Sequence, residues 1–135
     1  MQTTSTVLAI DPGRVKCGLA VLNRDGEILE RAITKRDEIV EKSLEWIGRW
    51  NPQSIIIGHS TGSFELRREL ELANTSLIIH VLNERNSTLE ARALYWQVHP
   101  PHGWRRLLPL SLQTPPVPLD DFAAAILARR FLTNQ

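Results

Sequence analysis

The hydrophobic period changes part-way along this chain, and that change constrains the fold more than any single residue does. Residues 6–10, 18–23 and 27–34 are short β-type runs separated by turn residues, and the Asp25-Gly26 pair marks a hairpin between the last two. From residue 39 the spacing becomes three to four: Ile39, Val40, Leu44 and Ile47, with Trp46 and Trp50, predict an amphipathic helix that ends before Pro52. Ser54-Ile55-Ile56-Ile57-Gly58 is short, β-branched and apolar, the pattern of a parallel strand buried on both faces. A second helix is expected over residues 64–73, on Leu66, Leu70 and Ala73, and the apolar run 77–82 reads as another central strand. Ser87-Thr88-Leu89-Glu90 has the spacing of a capping box and predicts a helix to about residue 98. Residues 99–119 hold six of the eight prolines and no acidic residue, as in an extended loop. A last helix opens at Leu119 or Asp120, with Ala123, Ile126, Leu127 and Phe131 on one face. The order describes an α/β fold with a mixed sheet: antiparallel first three strands, then parallel strands with flanking helices.

With 135 residues and no internal repeat, residues 1–135 are read as one domain. Sixteen Lys plus Arg against fifteen Asp plus Glu give a net charge of +1, which by itself points to no class of partner. The balance conceals its make-up, because only Lys16, Lys35 and Lys42 are lysines and the other thirteen cations are Arg, whose planar fork suits phosphate. Cys17 is the single cysteine and forms no internal disulfide, which fits a reducing, cytoplasmic setting. The longest apolar run, residues 122–128, is far shorter than the roughly 20 residues of a membrane span, so no membrane partner is expected.

Right-handed crossovers bring the C-terminal ends of the parallel strands to one edge of the sheet, where sites in open sheets lie. Asp11 follows the first strand, Glu84 follows the run 77–82, and Asp120-Asp121 opens the final helix. Each acid alone has a plainer role: a turn former before Pro12-Gly13, a surface partner for Arg, a helix N-cap. Together, three carboxylates at one edge repel unless a cation neutralises them, and their hard oxygens suit Mg²⁺. Such a set is equipped for metal-assisted phosphodiester hydrolysis.

The segment Leu8-Ala9-Ile10-Asp11-Pro12-Gly13-Arg14-Val15-Lys16-Cys17-Gly18-Leu19-Ala20-Val21 resembles the first strand pair of the YqgF/RuvX group. That group is related to the RuvC Holliday junction resolvases and has an RNase H-like fold. Glu84-Arg85-Asn86-Ser87-Thr88-Leu89-Glu90-Ala91-Arg92 is similar to its Asp-Glu-Arg-x-Ser-Thr-x-Glu-Ala segment, and Leu119-Asp120-Asp121-Phe122-Ala123-Ala124-Ala125 to its final Val-Asp-x-x-Ala-Ala helix. The resemblance implies an RNase H-like, RuvC-like mixed sheet. It further implies a metal-dependent endonuclease using Mg²⁺ or Mn²⁺, with metal-binding acids at Asp11, Glu84 and Asp120 and with Asp121 as the alternate for the last. The substrate it implies is the 5′ end of a pre-16S ribosomal RNA or, alternatively, a Holliday junction in branched DNA. Ribosome association and a homodimer are compatible with it. One departure is plain: Asn83 stands where the group shows Asp, which also admits a non-catalytic nucleic-acid-binding or ribosome-associated module of the same fold.

Arg14 and Lys16, just past Asp11, and Arg85, beside Glu84, are placed to contact phosphate. Trp104-Arg105-Arg106 in the proline-rich segment combines an aromatic face with two guanidinium groups, a pattern that suits unpaired nucleic acid, although a Trp packing the loop onto the body explains it equally. His59 would lie on the same edge but has no metal-ligand spacing, and no role is assigned to it. The Asp-x-Gly turn also occurs in actin-like and sugar-kinase folds, but a two-domain ATP clamp is hard to fit into 135 residues and no second phosphate loop appears.

Overall fold

A computed structural model describes residues 5–60, 62–74, 76–82, 87–99 and 120–133, excluding the side chains of residues 87–92. Five strands, β1 (Thr6–Asp11), β2 (Lys16–Asn23), β3 (Ile28–Lys35), β4 (Ser54–Gly58) and β5 (Ile79–Leu82), form one sheet in the order β3-β2-β1-β4-β5. The first three pair antiparallel, and β4 and β5 join parallel to β1, as the sequence pattern implied. A single 3-10 turn (Arg36–Glu38) and helices α1 (Ile39–Trp50), α2 (Ser63–Ala73), α3 (Ser87–Val98) and α4 (Asp120–Thr133) complete the described elements.

The β2–β3 turn is built by Asn23, whose Oδ1 accepts the Asp25 and Glu27 amides at 3.0 Å each, while Gly26 supplies a φ of 85°. That left-handed conformation carries no Cβ penalty at glycine. Helix α1 stops on Asn51, in the left-handed conformation at φ 47°, with its amide donating to the Ile47 carbonyl at 2.9 Å. Pro52 then prevents continuation.

Strand alternation splits the core into two layers. One face, with Leu8, Ile10, Leu19, Val21, Ile55 and Ile57, meets Ile39 and Trp46 of α1 and Leu66 and Leu70 of α2. The opposite face, with Val7, Ala9, Ala20, Leu22 and Ile56, meets Leu94 and Trp96 of α3 and the apolar residues of α4. Ala9 and Ala20 are small, so α4 lies close against β1 and β2.

Two expectations need correction. The run 77–82 is not a central strand: β5 is only Ile79–Leu82 and lies at the sheet edge, with Ile78 61% exposed. Its apolar residues answer to layers above and below the sheet, which an edge strand also has, and so do not report a neighbour on both sides. Helix α4 is not buried along one stripe. Phe122, Ala124, Ala125, Ile126, Leu127 and Ala128 are all buried, because it packs against the sheet and α3 together, while Ala123 and Phe131 are only partly covered.

Candidate functional site

Parallel pairing of β1 with β4 and of β4 with β5 sets the C-terminal ends of all three strands along one edge. The loops leaving them are tied together: the His59 amide donates to the Leu82 carbonyl at 2.6 Å, and Ser60 Oγ donates to the Pro12 carbonyl at 3.3 Å. Asp11 is the last residue of β1 and lies opposite Gly18 of β2. By alternation from Val7 and Ala9 it belongs to the face that α4 covers.

Gly18 brings the final helix to that place. A Cβ added there would fall inside the Asp120 carbonyl and 2.6 Å from the Asp121 amide nitrogen, so the first residues of α4 rest directly on the β2 backbone. The missing side chain is what admits the helix. Asp11 is thus the cross-strand partner of the residue on which Asp120 sits. Both carboxylates act on neighbouring Cys17: burial pushes its thiol above the ordinary range, and the charges of Asp11 and Asp120 add to the push. A backbone hydrogen bond at Gly13 and the charge of Arg36 oppose it.

The adjacent acids of α4 have different surroundings. Asp121 is buried; its Oδ2 accepts from Arg31 Nη1 at 2.9 Å and its Oδ1 accepts the Phe122 amide at 3.0 Å. The Arg31 guanidinium lies 4.5 Å from the centre of the Phe122 ring, so Asp121 is held within a structural cluster. Asp120 Oδ2, also shielded from water, accepts no hydrogen bond from a described residue, and Lys16 Nζ stands 3.8 Å from it. A buried carboxylate oxygen without a donor is unfavourable unless something electropositive completes it.

Among the described residues no three His, Cys, Asp or Glu side chains gather closely enough to hold a metal ion. Glu84, Arg85, Trp104, Arg105 and Arg106 lie outside the described residues. Arg14 is exposed in the β1–β2 turn, and His59, also exposed, meets Phe64 edge-to-face with ring centres 5.7 Å apart. Gly18 and Arg31 were missed from sequence. Glycine inside a strand was an available sign of close backbone approach, whereas Arg31 is one polar residue in an ordinary alternating strand.

No family model matches this chain, and no curated protein does. Among solved structures it is similar to Thermus thermophilus RuvC at 17% identity and a TM-score of 0.57, covering 91% of this chain and 90% of that one. It is also similar to T. thermophilus RuvC in complex with Holliday junction substrate, again at 17% identity and a TM-score of 0.57, covering 92% and 90%. The fold is therefore RNase H-like, of the RuvC type. No helix among the described residues is long and apolar enough to cross a membrane.

Proposed function

We propose that this chain acts on structured nucleic acid, branched DNA foremost, at the edge formed by the ends of β1, β4 and β5. Asp11, Glu84 and Asp120 would hold Mg²⁺ or Mn²⁺ there for hydrolysis of a phosphodiester bond. The observation that carries this reading is the seating of Asp120 on Gly18, opposite Asp11, with a shielded Oδ2 that lacks a hydrogen-bond donor among the described residues. That donor set fits a hard divalent cation, which when bound supplies charge neutralisation and Lewis-acid polarisation of a phosphate oxygen. Lys16 positions Asp120 and balances its charge. Asp121, engaged by Arg31, fixes the start of α4 and serves as the alternate acid only in a rearranged site. The RuvC-type fold supports a nucleic-acid partner, and the sequence resemblance adds a ribosomal RNA precursor as the other substrate to test.

A second reading, a non-catalytic nucleic-acid-binding module, is favoured by two features. The Lys16 ammonium already stands beside Asp120, and Asn83 replaces a carboxylate of the resembled family. One experiment separates the two. Wild type and Asp11→Asn are incubated with Mg²⁺ or Mn²⁺ on a four-way DNA junction, a ribosomal RNA precursor and a single-stranded RNA. Metal-dependent cleavage lost in Asp11→Asn is the expected result, and the substrate cut identifies the class. Cleavage that persists in the variant refutes the assignment of Asp11. Binding with a steep salt dependence but no cleavage of any substrate selects the second reading.

A further inference from the structure

The turn between β1 and β2 and the end of β3 carry more positive charge than the site consumes. Lys16 opens β2 and Lys35 closes β3, and the two are direct cross-strand partners. Such pairs place their Cβ atoms about 5 Å apart on one face, where like charges destabilise the sheet. Lys16 is drawn towards Asp120, and Arg36 lies 4.0 Å from Glu69. Lys35 and Arg14 are both exposed, and neither forms an ion pair with a described residue. Between Arg14 and Lys16 stands Val15, 79% exposed. The turn is nevertheless held: the Val15 carbonyl accepts the Arg36 amide at 2.8 Å, and Gly13 is packed onto the Lys16 carbonyl. A fixed turn that displays an apolar residue flanked by cations, with a further cation opposed to one of them, is arranged for a polyanion.

We propose that Lys35 joins Arg14 and Lys16 in a ridge that grips the nucleic-acid backbone beside the acidic edge, with Val15 resting on a sugar or base face. The proposal rests on the nucleic-acid reading above and locates where the backbone is held. The Arg14 guanidinium and the Lys35 ammonium would contact separate phosphates, with Lys16 held beside them by Asp120, and each contact releases condensed counterions on binding.

The test is the salt dependence of binding to a fluorescent four-way DNA junction, measured in EDTA for wild type, Lys35→Gln, Arg14→Gln, the double variant and Lys42→Gln. Lys42 lies on α1, 3.5 Å from Glu45, and serves as a control cation already paired with a carboxylate. Each ridge substitution should lower the slope of log affinity against log salt by about 0.9, and the pair by about twice that. Lys42→Gln should leave it unchanged. Lys35→Gln should also melt at or above the wild-type temperature in the absence of DNA, since the Lys16–Lys35 opposition is relieved. Wild-type binding with an unaltered slope in Lys35→Gln, or an equal drop in Lys42→Gln, overturns the ridge and leaves the nucleic-acid reading standing. A wild type that binds no junction overturns both.

Discussion

Replacing Gly18 by alanine tests whether the seating of α4 on β2 sets the site. The added methyl would lie 2.6 Å from the Asp121 amide nitrogen and inside the Asp120 carbonyl. Ordinary contacts to a carbon are near 3.5 Å and the Asp120 carbonyl atoms lie closer still than the amide nitrogen, so the start of α4 must lift by about 1.5 Å. The obstructing atoms are backbone, so no rotamer change relieves the clash. Overpacking of this kind costs about 2–3 kcal/mol. A displacement of about 1 Å at a reacting group can by itself reduce a rate about 100-fold. Urea unfolding should therefore show a lower midpoint with an unchanged slope, and cleavage at a temperature where the variant stays folded should fall about 100-fold. The same substitution at Gly48, exposed in α1 with nothing within 4 Å of the new methyl, should instead stabilise by about 0.5–1 kcal/mol. A Gly18→Ala protein as stable and as active as wild type would refute the claim that this contact positions Asp120.

Two further predictions concern groups around the same helix. Asp121→Ala leaves Arg31 without its carboxylate above the Phe122 ring and should cost about 2–3 kcal/mol in thermal or urea unfolding; a loss under about 0.5 kcal/mol would mean that the pair does not anchor α4. Cys17, fully buried, has its thiol raised above the ordinary value of 9.0 chiefly by burial. The unfolded chain then loses this proton at lower pH than the folded one. The Cys17 contribution to stability is fully present below pH 9.0 and is lost as pH rises from there through the folded value, at up to about 1.4 kcal/mol per pH unit. Stability of wild type relative to Cys17→Ala should accordingly fall above pH 9.0, and a difference independent of pH would exclude this ionisation as a contributor.

The antiparallel hairpin and the buried parallel strand follow from patterns with a short physical range, which is why they were legible. The Asp25-Gly26 turn joins β2 and β3, and the all-apolar run in β4 requires cover on both faces, here supplied by Ile55 and Ile57 against α1 and α2 and by Ile56 against α4. Edge and centre were not separable in the same way. Leu77, Ile78 and Ile79 look as apolar as the β4 run, yet Ile78 is exposed and only four residues form β5, since cover by helices and cover by a neighbouring strand draw on the same residue types.

The choice between Asp120 and Asp121 shows where sequence reasoning reaches its limit. Both acids precede the same alanines, and either could cap the helix or reach the strand ends. Successive residues on a helix point about 100° apart, so the backbone phase at which α4 lands decides which acid faces β3. Gly18 sets that phase by accepting the Asp120 carbonyl against β2, and Asp121 then falls to Arg31 on β3, two strand positions from Ile33, the partner of Gly18. Asp120 is left beside Lys16, on the residue opposite Asp11. The assignment of adjacent acids to structural and proposed metal-binding roles thus depends on a glycine about a hundred residues earlier, a long-range contact that neither local spacing nor helical periodicity encodes.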